Sequence, residues 1–146
     1  MRRTIDGGWV GLTVLIVLFP ALAGCTPRIG PEGQARLTAS SNPYEPDLPL
    51  PEGFRLVDRA SEDWASAALR YVRHQYEGRS DKYTVRQFYR EQMPLVRWVG
   101  RSESNVLGRY TLTFERGKED CVITIGDAAS GRRGRVEVVL VVTPKG

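Results

Sequence analysis

Along the last third of the chain, apolar and polar residues alternate with period two. Tyr110, Leu112 and Phe114 alternate with Arg109, Thr111, Thr113 and Glu115. Cys121, Ile123 and Ile125 alternate with Val122 and Thr124, and Val136, Val138, Leu140 and Val142 with Arg135, Glu137, Val139 and Val141. Successive side chains of an extended strand point to opposite faces, so each run predicts a strand with one dry and one wet face. The polar, glycine-containing stretches Arg116 to Asp120 and Asp127 to Gly134 separate the runs and predict antiparallel hairpins. The last run has valine on both faces, which predicts a central strand or one covered twice. Val96 and Trp98 alternate too and predict a strand further upstream.

Before Pro94 the period changes. Val85, Phe88, Tyr89 and Met93 share one face at helical spacing. Thr84 fits an N-cap, Gln87 completes a capping box, and Tyr83 and Phe88 stand where a hydrophobic staple would. Pro94 forbids continuation, so the helix is predicted over 85–93. Phe54 to Val57 is a short strand candidate. Residues 61–76 admit two readings. Ala65, Ala68, Leu69, Val72 and Tyr76 fit one helical face with Ser61 as a cap, whereas 69–77 is rich in strand formers and runs into Gly78, which favours a strand there. The expected fold class is α+β: an antiparallel sheet of about five to six strands with one short helix packed on one face.

The start of the chain has a different pattern. Arg2 and Arg3 precede an uncharged run from Trp9 to Ala23, about 15 residues where spanning a bilayer takes roughly 20. Pro20 and the small residues Ala21, Ala23 and Gly24 then lead to Cys25. This is the layout of an export signal; an ordinary secretory signal with a chance cysteine is the plainer alternative. Leu22-Ala23-Gly24-Cys25 resembles the lipobox of bacterial lipoproteins. The resemblance implies a diacylglycerol on the Cys25 thiol, cleavage of the preceding peptide bond and acylation of the new amino group. The membrane is then a partner through an N-terminal lipid anchor. Thr26, rather than aspartate, follows the cysteine; by the same resemblance this favours the periplasmic face of an outer membrane over the inner one.

Thr26 to Glu52 contains Pro27, Pro31, Pro43, Pro46, Pro49 and Pro51 and few aliphatic residues, a composition that predicts a tether. Polyproline geometry at about 3.1 Å per residue gives it a reach of roughly 80 Å. If part of it packs on the domain, Leu48 and Leu50 are the expected contacts. The expected division is therefore 1–24 signal, 25–52 lipidated cysteine and tether, and 53–146 one small domain.

Composition and charge narrow the function. The chain has 146 residues, 41% hydrophobic and 26% charged, with a net charge of +4; disorder throughout is not expected, and the charge is too scattered to predict nucleic acid as a partner. Once Cys25 carries lipid, Cys121 is left alone, and its alternation with Ile123 and Ile125 predicts a buried, inert thiol. His74 is the one histidine. It has neither a set of metal ligands nor a Gly-x-Ser-x-Gly elbow to work with, so no metal, cofactor or catalytic residue is expected. Glu115, Glu119 and Asp120 flank a hairpin, where solvated charge is expected. Most aromatic residues fall at core spacings, and Trp64 is the one expected at the surface. The remaining candidate is basic: Arg132 and Arg133, with Arg135 and with Arg116 and Lys118 of the neighbouring hairpin, would face an anionic partner if the loops gathered at one end of the sheet.

A wider resemblance runs over about 75–142. Tyr76-Glu77-Gly78, Val85, Phe88-Tyr89, Gln92-Met93-Pro94 and Trp98, then Leu112, Phe114-Glu115 and Cys121 to Ile125, are similar to a group of small bacterial envelope lipoproteins that have no assigned reaction. The match is one of scaffold positions and implies no catalytic residues. The expected function is a non-enzymatic, lipid-anchored envelope protein that binds a protein partner or supports envelope assembly. The alternative is a binding module for anionic headgroups or a cell-wall polymer, acting through the basic loops.

Overall fold

A computed structural model of the protein describes residues 36–66, 69–131 and 133–145. The strands are β1 (Arg55–Leu56), β2 (Glu62–Ala65), β3 (Arg70–Arg79), β4 (Val99–Val106), β5 (Arg109–Arg116), β6 (Glu119–Asp127) and β7 (Arg135–Pro144); the helix α1 (Lys82–Gln92) lies between β3 and β4. All seven strands join one sheet in the order β1-β3-β7-β6-β5-β4, with β2 also pairing β3, and every pairing is antiparallel. The sheet with one α-helix is the α+β class expected, with more strands than about five to six. β7 lies between β3 and β6, the central place its valines predict.

Register aligns the dry face in rows. Phe114, Cys121, Val142 and Val72 form one; Leu112, Ile123, Leu140 and His74 the next; Tyr110, Ile125, Val138 and Tyr76 a third. Val85, Phe88 and Tyr89 of α1, and Met93 directly after it, belong to the same buried cluster as these rows. At about 1.5–3 kcal/mol for each large apolar side chain removed from water, this cluster is the principal source of stability.

Several expectations need correction. The helix starts three residues before 85: its N-cap is Asp81, whose Oδ1 accepts the Thr84 N–H at 2.8 Å while the Thr84 hydroxyl donates to Oδ2 at 2.5 Å. A carboxylate satisfies the free amide and the helix dipole together, so it outcompetes the Thr84 hydroxyl as cap. Tyr83 lies beside Arg86, whose guanidinium is 5.4 Å from its ring centre. After α1 the chain makes a single 3-10 turn over Met93–Val96 and reverses at Arg97 (φ 71°), so Val96 and Trp98 are not in a strand. The Trp98 N–H donates to the Met93 carbonyl at 3.1 Å. Residues 62–65, left ambiguous above, are a strand.

The folded unit also extends upstream of Gly53. Leu48 and Leu50 are buried, and Leu37 and Ala39 pack against the core. The chain doubles back on itself through Ser40 N–H to Leu50 carbonyl and Glu52 N–H to Thr38 carbonyl, both 2.8 Å. This strap lies beside β3. The Phe54 ring is 2.3 Å from where a Cβ on Gly78 would stand, so only glycine fits beneath it. With packing from Leu37 onward, ten residues lie between Cys25 and Arg36, and the reach expected of the tether falls from roughly 80 Å to about 34 Å over eleven residue steps.

Candidate functional site

The basic residues singled out from sequence do not form one site. Arg116 and Lys118 flank the β5–β6 turn, whereas Arg133 and Arg135 belong to the β6–β7 turn. Successive turns of a meander lie at opposite ends of the sheet, and the length of β6 separates these by about 26 Å at about 3.3 Å per residue. Arg135 is 3.6 Å from Glu77. Cys25 and Arg132 lie outside the described residues.

Arg116 is instead part of a half-buried ion-pair lattice at the β5–β6 end. Arg70, the first residue of β3, donates from Nη1 and Nη2 to the two carboxylate oxygens of Asp47 at 3.1 and 2.8 Å. Its Nε and Nη2 donate to Glu119 at 3.0 and 3.3 Å, and Nη1 also reaches Glu45 at 3.3 Å. The Arg116 Nη2 group bonds both Asp47 and, at 2.9 Å, Glu119. The Arg116 guanidinium lies 4.5 Å over the buried Trp98 ring, whose Nε1 donates to the Asp47 carbonyl at 2.9 Å. Burial opposes ionisation of Asp47, but the hydrogen bonds and charges of Arg70 and Arg116 outweigh it and hold the carboxyl below its usual range. Bidentate arginine–carboxylate pairs are strong as well as directional. Glu119 is thus a structural ion, not the solvated charge expected of a hairpin flank. Sequence reasoning also passed over Asp47, Arg70 and Glu45, because their partners are 23 to 69 positions away along the chain.

The groups with chemical potential are withdrawn from solvent. His74 is 4% exposed. Its Nδ1 pairs with the Tyr76 hydroxyl at 2.9 Å, and Tyr44 of the strap lies edge-on to its ring at 6.2 Å. The Cys121 thiol is buried, and burial pushes it up to about 12, which disfavours the thiolate near neutrality. The Tyr89 hydroxyl is buried and has no hydrogen-bond partner among the described residues. Among the described residues, no three histidine, cysteine, aspartate or glutamate side chains converge as metal ligands. No family model, curated protein or solved structure matches the chain.

At the other end of the sheet the pattern reverses. The β4–β5 turn is Leu107-Gly108, with φ of 50° and 75°. Leu107 is fully exposed and Val106 is 66% exposed. The Asn105 side chain accepts the Gly108 N–H at 3.1 Å. Lys82 Nζ is 3.3 Å from where a Cβ on Gly108 would stand, and it bonds Asp127 at 2.8 Å. Arg79, Arg109 and Arg133 are exposed at the same end. The turn was overlooked because β4 has no alternating pattern; an apolar pair running into Gly108 ahead of the Tyr110 alternation was the available signal.

Proposed function

We propose that the protein is a non-enzymatic, lipid-anchored component of the bacterial envelope, whose domain is held close to the membrane to bind a protein partner or support an assembly there. The Asp47 clamp carries this function. In a protein held by one lipidated residue, orientation depends on how the chain leaving the lipid meets the fold. Here Asp47, between Arg70 and Arg116, pins the strap within about 22 residues of Cys25. The helix is proposed to cover one sheet face, which the shared burial of Phe88, Tyr89, Cys121 and Ile123 supports. Engagement of His74 and burial of Cys121 favour a binding role over catalysis. An outer-membrane location, facing the periplasm, follows from the lipobox resemblance and Thr26.

A deletion strain complemented with variants tests the proposal. Cys25→Ser is expected to abolish fatty-acid incorporation, leave unprocessed precursor and fail to complement. His74→Gln, which keeps a partner for Tyr76, is expected to complement fully. Fatty acid still incorporated into the serine variant defeats the anchor. A folded, correctly located His74→Gln protein that does not complement defeats the non-enzymatic role.

A further inference from the structure

The β4–β5 turn carries two costs that folding does not recover. A two-residue hairpin with positive φ at both positions favours Asn-Gly, and a leucine held there is strained. Leu107 is also fully exposed and Val106 largely so, so neither contributes much to the core. A strained residue kept without a folding return points to a role outside folding.

The surroundings indicate what meets this turn. Lys82 and Arg109 adjoin it, Arg133 of the β6–β7 turn is exposed at the same end of the sheet, and Arg79 lies opposite Arg135 at the adjoining strand ends. Among the described residues, the acidic groups there are Asp81, which caps α1, Asp127, which is paired with Lys82, and, two residues in from the strand ends, Glu77 and Glu137, which bond Arg135 and Gln75. Two apolar side chains are too few for the core of a stable protein interface, which buries upwards of about 1,000 Å². They do suit the boundary between headgroups and acyl chains, where a small apolar tip enters and a basic rim meets anionic phosphate. Arg36 pairs with Glu91 near the C-terminal end of α1, away from the turn; an extended segment of eleven residue steps from Cys25 would reach about 34 Å, against the roughly 33 Å rise of the ten-residue strands.

We propose that the β4–β5 turn is a second membrane contact, in which Val106 and Leu107 enter the surface of an anionic bilayer while Lys82, Arg109 and Arg133 lie among its headgroups. It rests on the Cys25 anchor for proximity, and the experiment reads the two separately. The full-length protein, expressed in bacteria and reconstituted into phosphatidylethanolamine–phosphatidylglycerol vesicles, carries a polarity-sensitive fluorophore at Val106→Cys or, at the opposite end, at Lys118→Cys. Cys121 is buried and stays unlabelled in the folded protein. The expected result is a blue shift at position 106, with quenching by a quencher attached to lipid. The shift is absent at position 118, much reduced in phosphatidylcholine vesicles, and lost when Leu107→Asn or Arg109→Glu with Arg133→Glu is added. No shift at 106, or equal shifts at 106 and 118, overturns the proposal. So does a shift at 106 that appears without vesicles and grows with protein concentration, which marks contact between copies. Mass measurement of the N-terminal peptide reads the anchor. A peptide without lipid overturns the anchor alone, and the tip is then decided by the same shift when anionic vesicles are added to the unanchored chain carrying Cys25→Ser, which leaves position 106 as the labelled thiol.

Discussion

The two ends of the sheet handle charge in opposite ways. At the β5–β6 end, Arg70 and Arg116 have exchanged water for Asp47, Glu119 and the face of Trp98. At the β4–β5 end, Arg79, Arg109 and Arg133 stand in solvent beside an exposed Leu107. Similar side chains do different work because their neighbours differ. The strap delivers carboxylates to the first end, where partly buried cations need partners. Among the described residues no comparable segment reaches the second end, and Arg79, Arg109 and Arg133 there remain exposed. Paired charge is therefore concentrated at the first end and solvated charge at the second.

The strongest challenge to this contrast is Trp98→Ala. The ring is buried, holds Asp47 through its indole N–H and lies under Arg116. Truncating a buried tryptophan costs about 3–5 kcal/mol, so thermal unfolding should show a melting temperature lower by on the order of 10–20 °C. An unchanged melting temperature would show that Trp98 and the ion pairs around it do not hold the β5–β6 end together.

Asp47→Asn should have a smaller effect, about 1.5–3 kcal/mol in denaturant titration, since it removes charge-assisted hydrogen bonds and leaves two arginines short of a partner. It also carries a pH signature. The folded protein holds Asp47 below its ordinary value of 3.8, so the unfolded chain takes up the proton first as pH falls. The contribution of Asp47 is therefore complete above that value and is lost as pH drops through it and below. Asp81, held low by its bonds to Thr84 against the opposing effect of burial, adds a similar dependence. The asparagine variant should keep only the acid sensitivity owed to Asp81 and other groups. Identical acid unfolding profiles for the two proteins would show that the clamp contributes nothing.

The smallest expected change has the opposite sign. Leu107→Asn places at φ 50° a residue that tolerates it, and should stabilise the protein by about 0.5–1 kcal/mol in the same titration. Gaining stability while losing membrane contact would separate the two ends cleanly. A destabilised variant would mean that Leu107 has packing partners and belongs to the fold.

The amino-acid sequence by itself determined the elements whose two faces see different surroundings. β5, β6 and β7 were legible because a buried face and a wet face impose period two, and the core face of α1 because Val85, Phe88, Tyr89 and Met93 recur at helical spacing. Burial of Cys121 followed from the same alternation. Tertiary structure alone decided what depends on distant neighbours. β4 is exposed along its whole length and is held by pairing with β5, so no alternation marks it. The strap reads as a proline-rich tether because its few apolar residues gain meaning only against Trp98 and β3. The candidate basic site divided because a meander sends consecutive turns to opposite ends. Local periodicity records which side of an element is dry; it carries no record of which charges meet across the fold, and at Asp47, Arg70, Arg116 and Glu119 that meeting is a matter of three-dimensional proximity.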